Sequence, residues 1–429
     1  LRPEVDRLKP DHKALKVWID ATQPACELRV FGMTLLERLL RALLETGGEL
    51  REVRVELPAG APPPANLPAD LAAALPLRWS NRNAPLAQRF REALSDAQEP
   101  LLAVSADSVV DTRLLQHFQS RTGSLAFVAG EEGRRGALLR LENGVHGITD
   151  ADGDLAALAD RALASGAARV FTASDFEGYI TNLRRSLPPY VLRVWDPASR
   201  NRVERFLFWS NYKGSTDFMT KYVYPPLVWR ILRPLARRRV HPNWLTGVSI
   251  AATVAAVPLF AAGEWVLGLT LAYTMSLLDS VDGKLARLTF TASRLGAFLD
   301  HGLDMVHPPL WYLAWAWALG GGRVDSLPFE LALLMTVVYA VDRVVAAVFR
   351  ERTKVSIHDC TPLDARLRTF ISRRNVNVVL FTLALLLDAL RPDLGAALAC
   401  FYFIVGWQVA SCLWHAERLA RFWKVRLAR

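Results

Sequence analysis

Four carboxylates fall within 26 residues: Asp279 and Asp282 three apart, then Asp300 and Asp304 four apart. On helices these separations put both members of a pair on one face, and two facing helices can then converge all four. An all-oxygen nest of this kind suits Mg²⁺, Mn²⁺ or Ca²⁺ rather than zinc. Two ions so held fit phosphoryl transfer, in which the metals hold the displaced phosphate and stabilise its charge. Gly283 and Gly296 permit close approach of backbone or ligand, and Arg287 supplies a fixed cation for a phosphate. A buried Asp/Arg ion network is the alternative, but it accounts for neither the excess of acid nor the glycines.

The elements that must position these acids are apolar. Six runs, near 245–263, 265–282, 297–319, 328–349, 375–391 and 394–415, approach the roughly 20 residues that a helix needs to cross a bilayer. The second is interrupted by acids and the fifth is short. A charge at the bilayer centre costs roughly 2.5–3.5 kcal/mol on insertion scales and less near the interface, so acids at the ends of two spans must be compensated.

The chain has 429 residues and a formal net charge of +10, a value open to both nucleic-acid and membrane readings. Residues 1–216 hold 28 Lys+Arg against 27 Asp+Glu, and residues 217–429 hold 24 against 15. Segments 217–244, 280–295, 350–374 and 416–429 carry 21 of those 24 basic residues, whereas the opposite loops carry only Arg323 and Arg391. This asymmetry predicts an integral protein of the cell inner (plasma) membrane with both termini cytoplasmic. Eleven of 13 tryptophans lie from Trp195 onward, and Trp244, Trp265, Trp311 and Trp414 near the ends of apolar runs suggest an interfacial belt. Lipid, rather than nucleic acid, is the expected partner. Segment 217–238, with Pro225-Pro226 interrupting it, reads either as an amphipathic interfacial helix or as a linker with basic flanks. The four cysteines show no paired spacing, so neither a disulfide framework nor a cysteine zinc site is indicated. The chain opens on Leu1 without a methionine, which leaves room for an upstream segment, and no signal peptide is argued for or against.

Residues 279–304 read Asp-x2-Asp-Gly-x2-Ala-Arg-x8-Gly-x3-Asp-x3-Asp. The pattern resembles the signature of the CDP-alcohol phosphotransferase (CDP-alcohol phosphatidyltransferase) family at all eight fixed positions. A chance match at a given start is on the order of one in a billion. His241-Pro242-Asn243-Trp244-Leu245-Thr246 is similar to the family's entry to its first span, and the resemblance covers roughly 217–429. It implies six spans, transfer of a phosphoryl-linked group from a CDP-activated donor to an alcohol, and release of CMP. It further implies two Mg²⁺ or Mn²⁺ ions on Asp279, Asp282 and Asp300, with Asp304 as partial ligand and general base. Gly283, Ala286 and Arg287, with Gly296, Asn243 and Thr246, would form the CDP site, and a homodimer is expected. In inositol-phosphate-using relatives, basic residues at the places of Arg343, Arg350, Arg373 and Arg374 bind the acceptor's phosphate. Arg343 also stands out on its own terms as an ion within a span, whereas positive-inside charge accounts for most of the others, including Arg352 and Lys354. His307-Pro308-Pro309 departs from the family pattern and predicts a kink, with His307 as a kink-associated polar residue rather than a ligand.

The front half alternates strand-like runs (15–19, 53–55, 101–104, 125–128) with helical patterns (34–46, 86–95, 111–119, 154–165), which predicts an α/β sandwich with a largely parallel sheet. Segment 58–68, with five prolines, reads as a surface loop. The order of elements resembles the nucleotidyltransferase fold of sugar-phosphate cytidylyl- and guanylyltransferases. The glycine loop that should wrap the nucleotide phosphates is missing from Asp20–Arg29, so a domain without catalysis is expected. Asp107, similar in place to the family's metal-binding acid, is favoured as a strand-end turn residue.

The expected organisation is a soluble α/β domain at 1–190, a basic linker and interfacial helix at 191–240, and an all-α six-span domain at 241–429. The leading reading is a phosphotransferase of phospholipid synthesis acting on a CDP-diacylglycerol-like donor and a phosphorylated polyol such as inositol phosphate. Its alternatives are a bifunctional enzyme that makes and uses CDP-inositol, and a non-enzymatic cation-binding membrane scaffold.

Overall fold

The computed structural model describes residues 14–131, 134–143, 153–176, 178–180 and 183–427; the side chains of 294, 295, 297, 299–301, 303, 304 and 424–427 are not among those described. The chain divides into two units, one of Leu1–Gly178 and Leu187–Ser210, the other of Tyr179–Ser186 and Asn211–Arg429.

The first unit is built on strands β1 (Leu15–Asp20), β2 (Leu50–Glu56), β3 (Leu77–Ser80), β4 (Leu101–Ser105), β5 (Leu125–Ala129), β6 (Gly136–Leu141) and β7 (Arg169–Val170). They form one sheet in the order β7-β5-β6-β4-β1-β2-β3, in which β6 runs antiparallel to both its neighbours and every other pairing is parallel. The buried, near-continuous apolar runs of β1 and β4 suit a sheet covered on both faces. Helices α1 (Leu35–Thr46), α2 (Leu86–Ser95), α3 (Thr112–Ser120) and α4 (Leu155–Ala164) lie within two residues of the sequence expectation. Local signals set their ends. Thr34 accepts from the Glu37 N–H to start α1, Asp154 accepts from the N–H groups of Ala156 and Ala157 to start α4, and Gly47 at φ +65° closes α1. Trp18 packs edge-on to Phe90 at 5.4 Å in a core shared with Ala103, Leu139 and Leu158. A further helix, α5 (Pro197–Ser210), ends the unit.

The second unit is helical: α6 (Tyr224–Arg237), α7 (Pro242–Ala261), α8 (Trp265–Leu288), α9 (Arg294–Leu319), α10 (Leu327–Thr353), α11 (Arg374–Leu390) and α12 (Ala396–Leu427). Helix α7 packs against both acid-bearing helices, α8 and α9, while α12 packs against α10 and α11. The core centres on Phe260, Trp311, Trp315, Phe381 and Phe401, with Trp315 stacked on Phe381 at 4.2 Å. Trp311 is therefore a core residue and not an interfacial one: it is fully buried, and its indole N–H donates to the Thr253 carbonyl at 3.1 Å. Trp244 does stand exposed.

Among the described residues, three helices are long and apolar enough to cross a membrane: Pro242–Ala261, Leu327–Thr353 and Ala396–Trp423. The expected count of six is not reached on this criterion. Helix α8 carries Asp279, Asp282, Lys284 and Arg287, and α11 stops at 17 residues. Pro225 and Pro226 mark a junction rather than a gap, since a π-helical turn, Met219–Val223, leads directly into α6. Tyr224, Val228, Leu232 and Ala236 bury one stripe of α6 in a unit where it packs on α8, leaving Leu227, Arg230 and Arg237 exposed.

Candidate active site

Asp279 and Asp282 lie in the second half of α8. Asp282 is only 5% exposed: its Oδ2 accepts from the Thr246 hydroxyl at 2.7 Å and its Oδ1 from the Gly283 N–H at 2.6 Å. Thr246 reaches it because α7 begins at Pro242, where His241 Nδ1 accepts from the Asn243 N–H and proline occupies a position that needs no N–H. Asn243, from the same turn, accepts from Ser293 Oγ at 3.2 Å, and Ser293 caps α9 by accepting from the Gly296 N–H at 2.9 Å. A Cβ on Gly296 would lie 2.9 Å from both Asn243 Oδ1 and Ser293 Oγ, so close approach demands glycine there. Around Gly283 an added Cβ would meet only Arg287 Nη1 at 3.5 Å, an ordinary contact.

The eight-residue spacer of the motif is thus the end of α8, a tight turn with Phe290 at φ +53°, and the α9 cap. Arg287 is exposed and its Nε donates to Asn211 Oδ1 at 3.1 Å. Ala286 is half-buried one residue before it.

On Asp279 the partner is Arg374, whose Nη2 lies 3.1 Å from Oδ2 while its Nη1 lies 3.0 Å from His307 Nε2. A guanidinium only donates, so His307 accepts through Nε2 and carries its proton on Nδ1. His307 is buried and edge-on to Trp311 at 4.9 Å. Helix α9 runs through Pro308-Pro309 as one element.

The side chains of Asp300 and Asp304 lie outside those described; their backbone is helical, on α9. Among the described residues no group of three metal-ligating side chains is assembled.

Of the other predicted basic residues, Arg343 donates to Asp342 at 3.1 Å and stands over Tyr339 at 5.0 Å. Asp342 is held in turn by His415 Nδ1 of α12. Arg350 is exposed near the end of α10 and Arg373 precedes the first turn of α11. Arg343 and Arg373 both press electrostatically on Arg368, which sequence reading passed over; Arg374 is engaged with Asp279 instead.

Asp217 was missed as well. It is 5% exposed and accepts from the Thr220 N–H and hydroxyl at 3.1 and 2.9 Å and from Asn375 Nδ2 at 3.2 Å. Burial raises its pKa, but the Arg373 charge and these hydrogen bonds outweigh that and hold the carboxyl below its usual range. The only sequence signal was an acid three residues before Thr220, a helix-start spacing.

Residues 239–410 match the family model of CDP-alcohol phosphatidyltransferases. That match lies wholly within the helical unit. Over 78 residues the chain is 40% identical to the archaetidylinositol phosphate synthase of Aeropyrum pernix, covering 18% of this chain and 40% of that protein. Over 104 residues it is 36% identical to the phosphatidylinositol phosphate synthase of Streptomyces avermitilis, covering 23% and 43%. The chain thus spans less than half the length of these two relatives. Among solved structures, it is similar to the phosphatidylinositol phosphate synthase of Mycobacterium tuberculosis with CDP-DAG bound, at 18% identity and TM-score 0.37 over 45% of this chain and 94% of that one. It is similar also to the inositol-1-phosphate CTP transferase of T. maritima, at 13% identity and TM-score 0.33 over 45% and 95%. The matched region contains the whole acid motif and its Asn243 and Thr246 partners.

In the α/β unit, Asp107 is 2% exposed and already engaged. It accepts from Ser105 Oγ at 2.8 Å, Ser108 Oγ at 3.2 Å and Arg193 Nε at 2.8 Å. It sits in the turn after β4.

Proposed function

We propose that the protein is a membrane phosphotransferase that moves the phosphoryl-linked group of a CDP-activated lipid, such as CDP-diacylglycerol, onto a phosphorylated polyol such as inositol phosphate, releasing CMP. The observation that carries this reading is the enclosed Asp282 carboxylate, oriented by Thr246, in a matched family motif. The names of the two relatives, synthases of inositol-phosphate lipids, support the acceptor class.

The donors are all hard oxygen, so the residues fit Mg²⁺ or Mn²⁺. Asp279, Asp282 and Asp300, with Asp304 as a partial ligand, would hold two ions. Bound there, the ions supply charge stabilisation to the transferring phosphate.

The chain's own residues do the rest. Gly283, Ala286, Arg287 and Gly296, with Asn243, form the CDP-binding surface, and Thr246 fixes the rotamer of Asp282. Arg374 holds Asp279 and is itself held by His307. Asp304 takes the proton of the acceptor hydroxyl as its oxygen bonds to the lipid-bearing phosphorus; the bond from that phosphorus to CMP breaks, and CMP leaves with the electron pair. A carboxylate beside cations is a weak base, so Asp304 acts chiefly by position. Arg343, Arg350 and Arg373 bind the acceptor's phosphate. The domain works as a homodimer with both termini cytoplasmic, and the α/β unit serves assembly or docking, not nucleotide transfer.

The test is incubation of the purified protein with a CDP-lipid, Mg²⁺ or Mn²⁺ and candidate alcohols, reading CMP. Release that depends on metal and on a phosphorylated polyol is expected. No CMP with any acceptor, or full activity in Asp304→Asn, overturns the reading.

A further inference from the structure

Two short strands, Tyr179–Ile180 and Arg185–Ser186, pair antiparallel and belong to the helical unit, although they precede the family-matched residues by more than fifty positions. They are fastened there by a dense set of contacts. Gly214 N–H donates to the Leu183 carbonyl at 2.8 Å, and Arg185 Nη1 donates to the Tyr212 carbonyl at 3.4 Å. Asp359 takes hydrogen bonds from both Tyr179 and Ser215. A Cβ on Gly214 would lie 2.2 Å from the Arg184 carbonyl oxygen, so only glycine admits this approach. Arg184 itself sits at φ +52°, a left-handed backbone that a branchless long side chain rarely adopts. Strain at such a position is held by its surroundings and tends to mark function.

What the hairpin positions is the Arg184 guanidinium, which feels the charge of Asp359. Among the described residues, its buried Nη1 has no hydrogen-bond partner. Beside it, Arg368 is 3% exposed with its Nε equally unsatisfied. The two repel each other, Arg350 presses on Arg184, and Arg373 and Arg343 press on Arg368. The nearby carboxylate, Asp359, has its two oxygens directed to Tyr179 and Ser215. Buried guanidinium N–H groups left unpaired cost free energy, and an anion relieves both that cost and the repulsion among neighbouring cations. Arginine's planar fork matches a phosphate bidentately.

We propose that Arg184, together with Arg368, binds the phosphate monoester of the acceptor, so that a hairpin outside the family domain sets the preference for a phosphorylated over a plain polyol. The assignment rests on the phosphotransferase reading for the identity of the acceptor, because Arg343 and Arg373 are the residues already assigned to it. The donor's diphosphate is the less fitting occupant, since its proposed contacts, Asn243, Gly283, Arg287 and Gly296, are carried by α7, α8 and α9.

Binding and turnover give separate tests on the full-length protein in detergent. Inositol phosphate or inorganic phosphate raises the melting temperature of the wild type, and Arg184→Gly, which also relieves the left-handed backbone, abolishes that rise while cytidine diphosphate still stabilises. In CMP release, Arg184→Gly and Arg184→Gln raise KM for the phosphorylated acceptor roughly tenfold or more, leave KM for the CDP-lipid nearly unchanged, and shrink the preference over unphosphorylated inositol; Arg184→Lys recovers part of it. The proposal is overturned if phosphate stabilises wild type and Arg184→Gly equally, if it stabilises neither, or if the variants lose cytidine diphosphate rather than phosphate. A wild type that binds phosphate through Arg184 yet releases no CMP overturns the phosphotransferase reading and leaves this anion site standing.

Discussion

Each unit buries one acid beside a more exposed one, Asp107 beside Asp154 and Asp282 beside Asp279, and the buried acids are held differently. In the α/β unit, Arg193 joins Asp107 and Asp154, and two serine hydroxyls complete Asp107. One cation closes the pair, and Asp154 is spent further on capping α4. In the helical unit, Arg374 pairs with Asp279, while Asp282 accepts from a hydroxyl and a backbone N–H. Neutral donors orient a carboxylate without cancelling its charge, whereas a guanidinium does both. The same residue type is bound by a guanidinium at a strand end and oriented by the Thr246 hydroxyl at a helix end, within the matched motif.

The largest effect that can break this contrast comes from Asp282→Asn, which should lower CMP release by about a thousandfold or more while the melting temperature falls little. Retained activity would place Asp282 with Asp107 among the structural acids. Arg193→Met is the counterpart: it strands Asp107 in a buried site and should destabilise the α/β unit by about 3 kcal/mol in denaturant unfolding. CMP release measured below that transition should stay near the wild-type rate, and its loss would give the front unit a part in catalysis. Gly296→Ala comes next. Its methyl must displace Asn243 or Ser293, at about 1–3 kcal/mol of strain, and KM for the CDP-lipid should rise before stability changes visibly. An unchanged KM would remove Asn243 from the CDP surface.

The smallest effect concerns Asp217. Its pKa is depressed in the folded protein, so its contribution is complete above the unfolded value of about 3.9 and is lost as pH falls through the folded one. Asp217→Asn should therefore lower the melting temperature at neutral pH, with the gap to wild type closing toward strong acid. A constant gap would mean that the hydrogen-bond geometry, not the charge, matters there.

Much of the fold was legible because its signals are local. Alternating apolar runs marked β1, β2, β4 and β5, and helical patterns marked helix starts to within two residues, where the structure shows Thr34 and Asp154 as caps. Strand β6 escaped notice because an antiparallel strand inserted into a parallel sheet has no local signature of its own. Trp311 was misplaced for a related reason: a tryptophan near the end of an apolar run looks the same in sequence whether it faces lipid or, as here, Phe260 and Thr253. His307 was read through the prolines beside it, although its partner is Arg374, 67 residues away.

The sequence by itself determined the chemistry class. Eight fixed residues with an eight-residue spacer encode two helix ends and the turn between them, and that spacing is a property of the chain. Tertiary structure alone decided which charges are compensated. Arg374 falls on Asp279 and Arg193 on Asp107, pairings that span up to 95 residues of sequence. Charge compensation depends on distance in space and on exclusion of water, and neither quantity is written in the order of residues.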